Sequence, residues 1–78
     1  MVLTDDMVFR NAMSRDYKHM QELSVNSEDI NYLDSGNLIF RQLGALRKLD
    51  LSFNRIAKID NLDSLKELRD LNLSYNQI

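Results

Sequence analysis

The stretch Leu46-Arg-Lys-Leu49-Asp-Leu51-Ser-Phe53-Asn54-Arg-Ile56 returns further on, every matching position raised by 22, as Leu68-Arg-Asp-Leu71-Asn-Leu73-Ser-Tyr75-Asn76-Gln-Ile78. Each copy carries leucine at its first, fourth and sixth positions, asparagine at its ninth and isoleucine at its eleventh. Between the copies, Ile59, Leu62 and Leu65 keep an apolar residue at every third position from Ile56 to Leu68, a spacing that continues one buried edge around a coil. Two in-register copies of so particular a pattern define a repeat unit.

Each part of the unit has a physical reason. The alternation in Leu49-Asp50-Leu51 predicts a short strand with its leucines inward and Asp50 outward, and Leu71-Asn72-Leu73 reads the same way. Parallel strands from successive coils stack about 4.8 Å apart into a small sheet. Asn54 and Asn76 fall where the chain turns inward. An amide both donates and accepts, so each asparagine is predicted to pair buried backbone groups of its own and adjacent coils, as a structural ladder.

Working outward, a weaker third copy precedes these two: Met20-Gln-Glu-Leu23-Ser-Val25-Asn-Ser-Glu28-Asp-Ile30, followed by Leu33, with an offset of 26 to the next unit. Phe40 and Leu43 align with Leu62 and Leu65 at the shorter offset of 22, so the extra residues enter around Asp34-Ser35-Gly36-Asn37. Gly36-Asn37 is a turn signal, and the insertion is expected to bulge on the convex side. Glu28 stands where the other copies have asparagine, which marks the first coil as solvent-facing or atypical, with Asn26 as a partial substitute.

Ahead of the repeats, Thr4 is a candidate N-cap, and Asp5 and Asp6 suit the positive end of a helix dipole. A short helix from about Asp5 to Ser14 is predicted. The pairs Val8/Ala12 and Phe9/Met13 would form its apolar side, lying over the open N-terminal edge of the first coil. Arg15 to Lys18 would link it to the first strand, with Tyr17 a packing residue. The chain thus divides into a capping helix and link (1–19) and repeats (20–78). The repeats comprise an atypical unit (20–45), a full unit (46–67) and an incomplete one (68–78).

Composition excludes more than it identifies. The 78 residues include no cysteine, no proline and one histidine, so neither a thiolate cluster nor a histidine-rich zinc site is available, and no disulfide supports the fold. The formal net charge of −2 gives no basic footprint for direct nucleic-acid binding. The acidic N-terminus argues against a secretory signal, and purely apolar runs such as Leu38-Ile39-Phe40 reach only three residues, far below the roughly 20 residues of a bilayer span. The expectation is an intracellular chain, cytoplasmic in the first instance, with cilium, centrosome and nucleus as alternatives, and with no cofactor, no metal and no membrane partner.

The two C-terminal copies, Leu-Asp-Leu-Ser-Phe-Asn-Arg-Ile and Leu-Asn-Leu-Ser-Tyr-Asn-Gln-Ile, resemble the 22-residue leucine-rich repeats of a protein phosphatase regulator and its relatives. The opening Leu3-Thr4-Asp5-Asp6-Met7-Val8 is similar to leaders of ciliary dynein-arm assembly factors, centrosomal repeat proteins and a spliceosomal snRNP subunit. The resemblance implies an α/β leucine-rich repeat fold: a right-handed solenoid with short parallel strands on a concave face, loops or short helical segments on the convex face and an N-terminal capping helix. It further implies that the concave sheet binds other proteins, in a ciliary, centrosomal or phosphatase-linked assembly.

On that reading the outward positions align as Glu22/Lys48/Asp70, Ser24/Asp50/Asn72 and Asn26/Ser52/Ser74, with Ser27/Phe53/Tyr75 beside them where each strand leaves the sheet. Lys48, Asp50, Ser52, Phe53, Asp70, Asn72, Ser74 and Tyr75 are the candidate partner-binding residues, because aromatics with polar neighbours typify interface hot spots. The competing reading makes Phe53 and Tyr75 half-buried packing residues and the charges ordinary solvated ones.

Catalysis fits poorly. Asp50 and Asp70 occupy different columns of a shallow sheet, with no nucleophile or oriented base beside them. His19 reads as an exposed or capping residue, Ser52 and Ser74 have no histidine partner, and Gly36 and Gly44 are too isolated to cradle phosphate. The main reading is therefore a non-enzymatic protein-interaction module. Its alternatives are a purely structural N-terminal cap of a longer solenoid, or a ribonucleoprotein subunit acting through a protein partner. Leu71, Leu73 and Ile78 would be open on one side, which predicts either a truncated form or self-association through an uncapped C-terminal end.

Overall fold

The computed structural model describes residues 2–33, 39–59 and 62–78, so the insertion expected at Asp34-Ser35-Gly36-Asn37 lies outside the described residues. Three short strands, β1 (Glu22–Ser24), β2 (Lys48–Asp50) and β3 (Asp70–Asn72), form a parallel sheet in that order. The register aligns Glu22 with Lys48 and Asp70, Leu23 with Leu49 and Leu71, and Ser24 with Asp50 and Asn72. The step from Glu22 to Lys48 takes more chain than the step from Lys48 to Asp70, yet the strands stay in register.

The strands form here because a central leucine is buried between two outward polar residues in each. Leu23 and Leu49 are buried, and Leu71 is half-buried. The ladder runs one residue beyond the strands: Val25 N–H donates to Asp50 C=O at 2.8 Å, and Leu51 N–H to Asn72 C=O at 2.9 Å. Val25 and Leu51 thereby form a second buried apolar column, continued by half-buried Leu73.

The return limbs explain the three-residue apolar spacing. Leu43 N–H donates to Phe40 C=O and Leu46 N–H to Leu43 C=O, and the next unit repeats this as Leu65 to Leu62 and Leu68 to Leu65. Consecutive i to i+3 bonds turn the chain once every three residues, so every third side chain faces the same way. In the first unit this limb includes one helical turn, α2 (Ile39–Gln42), which buries Ile39 and Phe40. One expectation fails: Ile59 is 53% exposed, whereas Leu33, its counterpart in the first unit, is buried.

The leader helix α1 (Asp5–Ala12) starts at Thr4, whose Oγ1 accepts from Met7 N–H at 3.3 Å. It ends two residues before Ser14 because Met13 adopts a left-handed φ of 56° and its N–H closes on Phe9 C=O at 2.7 Å. Of the expected apolar side, Val8 and Ala12 pack into the core, while the Phe9/Met13 pair does not form. Met7 and Val8 are the buried helix residues, joined by Leu3, while Met13 is exposed. Phe9 lies at the margin, where the Arg15 guanidinium sits 4.1 Å above its ring and donates to Asp5 at 3.1 Å.

Helix α1 packs against β1, and Val2 bridges Tyr32 in parallel. Tyr17 opens a single 3-10 turn, Tyr17–His19, and is buried. Glu28 is neither simply solvent-facing nor a ladder residue: its carboxylate accepts from Arg10 at 3.1 Å and from Asn11 at 2.9 Å, tying the helix to the first unit. No helix among the described residues is long and apolar enough to cross a membrane.

Candidate functional site

Just beyond each strand the backbone turns through a left-handed residue: Ser27 (φ 56°), Phe53 (59°) and Tyr75 (59°) occupy equivalent positions. For a side chain as large as phenylalanine or tyrosine this conformation is an outlier, costing about 1–2 kcal/mol. The residue that follows explains it. The turn swings Asn54 and Asn76 into the interior and leaves the preceding aromatic outside.

Asn54 Nδ2 donates to the carbonyls of Leu51 (2.8 Å), Ser52 (3.2 Å) and Val25 (2.9 Å), while its Oδ1 accepts from Glu28 N–H (3.0 Å) and Ile30 N–H (3.2 Å). Asn76 repeats the arrangement one unit on, donating to Leu73, Ser74 and Leu51 carbonyls and accepting from Ile56 N–H at 2.9 Å. Each asparagine therefore fastens its own turn and the preceding unit. Asn26 takes no such role, since its amide donates outward to Asp50 (3.5 Å) and Ser52 Oγ (3.1 Å).

The aromatics displaced by these turns meet each other. Phe53 and Tyr75 stack with ring centroids 4.5 Å apart and planes within 9°. They remain 55% and 75% exposed, so their shared surface is presented outward rather than packed as half-buried filler. The stack is fixed from below by Phe53 N–H donating to Ser74 C=O at 3.0 Å.

Alongside runs the polar strand face. Asp50 Oδ1 accepts from Ser52 N–H and Asn72 Oδ1 from Ser74 N–H, both at 2.9 Å, so the same two-residue turn is built once on a carboxylate and once on an amide. The side chain and backbone of Ser52, with a smaller contribution from Asn26, hold the Asp50 carboxyl below the usual carboxylate range against the opposing effect of burial. Ser24 Oγ donates to Asn26 Oδ1 on the same face. Lys48 lies 3.7 Å from Glu22 across the sheet, and His19 lies 3.0 Å from Asp16.

One member of the expected contact set is placed differently. Ser52 is only 3% exposed, because Asn26 and Asp50 close over it, so it orients its neighbours instead of offering a surface of its own. Lys48, Phe53, Asp70, Asn72, Ser74 and Tyr75 are exposed and Asp50 is partly so. The register separates Asp50 from Asp70, pairing them with Asn72 and Lys48 respectively. The sheet and the end of α1 enclose an open cleft of about 660 Å³ that includes Asn11, Asp16, Glu22, Lys48, Asp50 and Asp70. Sequence reasoning missed the contribution of Asp16 and Asn11, which only the packing of α1 brings to the sheet. The turns at Asp50 and Asn72 had a usable signal, an Asx residue two positions before a serine.

Residues 45–78 match a family model described as Leucine Rich repeats (2 copies). No curated protein and no solved structure matches the chain.

Proposed function

We propose that this chain is a protein-interaction module whose partner seats on the outward strand face, the concave side of a short leucine-rich repeat solenoid for which α1 is the N-terminal cap. Leucine-rich repeats such as those in residues 45–78 generally mediate protein–protein contacts. The observation that carries the reading is the Phe53–Tyr75 stack: two large rings held exposed at a backbone conformation that disfavours them. Rigid exposed aromatics beside oriented polar groups are the usual anchors of protein interfaces. The resemblances of the repeats and of the leader, taken together, support a ciliary, centrosomal or phosphatase-linked assembly as the setting.

The test is retention of partner proteins by the immobilised chain and by its Phe53→Ala/Tyr75→Ala variant, with folding of the variant checked by circular dichroism. Loss of the retained proteins is expected. Unchanged retention by a folded variant would remove the stack from the interface. It would favour a second reading, in which the chain serves to stack against further repeats or another copy of itself through β3. That reading draws on half-buried Leu71 and Leu73 and on exposed Ile59 and Ile78.

A further inference from the structure

We propose that the partner segment received by the strand face is basic, and that Asp50 and Asp70 are the carboxylates that receive it. The proposal rests on the interface reading above and adds the partner's chemistry. Around the cleft stand four carboxylates, those of Asp16, Glu22, Asp50 and Asp70, against Lys48 and His19. The two basic groups are already committed, Lys48 to Glu22 and His19 to Asp16. Asp70 has no ion pair among the described residues, and Asp50 is held by uncharged donors alone.

The geometry leaves Asp50 able to take another donor. Oδ1 is occupied by Ser52 N–H, and Oδ2 receives the long 3.5 Å approach of Asn26. A carboxylate has about four lone-pair directions, so capacity remains for an ammonium or guanidinium group. The ring stack, which lies beyond the strand ends and outside the cleft lining, offers an extended segment a second element of such recognition, a π face for cationic side chains and their aliphatic stems. The molecule already uses this combination internally, where Arg15 lies over the Phe9 ring while donating to Asp5. A basic segment on the strand face would repeat it between chains, and complementary charge would also speed its encounter.

The charge can be removed without undoing the turn, because Asn72 performs the turn role of Asp50 with an amide. The experiment titrates ¹⁵N-labelled chain with a hexa-arginine peptide and, separately, with a hexaglutamate peptide. Expected are saturable shifts centred on the amides of β1, β2 and β3 with hexa-arginine alone, weakening as salt is raised. Asp50→Asn/Asp70→Asn should bind roughly fivefold or more weakly, the sum of two exposed ion pairs. Asp63→Asn/Glu67→Gln, the same change in net charge away from the strand face, should bind as the parent does. Equal binding by Asp50→Asn/Asp70→Asn, equal weakening by the control variant, or shifts spread over the whole surface would each overturn the proposal. Shifts at the strand face with hexaglutamate would overturn the basic chemistry while leaving the interface itself standing. Failure of the interface reading is separately visible as unchanged retention by Phe53→Ala/Tyr75→Ala.

Discussion

At the scale of single residues, the two asparagines have one role and unequal weight. Asn54 is buried and bonded to both the first unit and its own turn, whereas Asn76 is half-buried with its outer side toward solvent. Removing a buried amide leaves its former partners unpaired, at about 1–3 kcal/mol. Asn54→Ala should therefore cost about 3 kcal/mol and Asn76→Ala about 1 kcal/mol, measured by urea denaturation. Asp50 makes a pH-dependent contribution. Its carboxyl titrates below the ordinary value in the folded chain, so its stabilisation is present above about pH 4 and is lost as the pH falls through the folded value. Asp50→Asn keeps the turn but not the charge. The stability difference between parent and variant should shrink from pH 7 to pH 3, and a constant difference would show that charge plays no part.

At the scale of elements, the strands and return limbs were legible from sequence while the helix contact was not. The leucine alternation and the period of three each follow from a local backbone geometry, a pleat or a chain of i to i+3 turns, so a pattern in the residues reports them directly. The buried side of α1 depended on where the helix stopped, and that was decided by the left-handed Met13. Sequence pairing of Phe9 with Met13 assumed that the helix ran on to Ser14. The latch at Glu28 was likewise visible only as a missing asparagine, because its partners Arg10 and Asn11 lie far from it along the chain. Glu28→Ala should cost about 1 kcal/mol, the value of charge-assisted bonds discounted for the exposure of Arg10. Hydrogen exchange in Met7–Ala12 should rise more than in β2; equal increases would mean that Glu28 supports the whole molecule rather than the helix.

At the scale of the whole molecule, burial declines along the chain. Leu49, Leu51 and Ile56 are fully enclosed, while their counterparts Leu71 and Leu73 are half-buried and Ile78 is exposed. A half-buried side chain has fewer packing contacts to lose on truncation than a fully enclosed one. Leu51→Ala should accordingly cost about 3 kcal/mol and Leu73→Ala closer to 1 kcal/mol, with amide protection highest in β2 and lowest in β3. Equal costs at the two positions would contradict this gradient.

What the sequence determined by itself was the repeat: its period, the inward leucines, the asparagine at each turn and the pairing of positions 22, 48 and 70 across the strands. These are properties of residues a fixed distance apart in a regular backbone, and regularity makes them readable. Which outward positions stay exposed was set by packing between units and could not be read from the spacing. Tertiary packing buried Ser52 beneath Asn26 and Asp50, stacked Phe53 on Tyr75, and brought Asp16 and Asn11 to the edge of the sheet. Those outcomes depend on side chains meeting across units and on where a helix ends, and neither is encoded in the spacing of any one repeat.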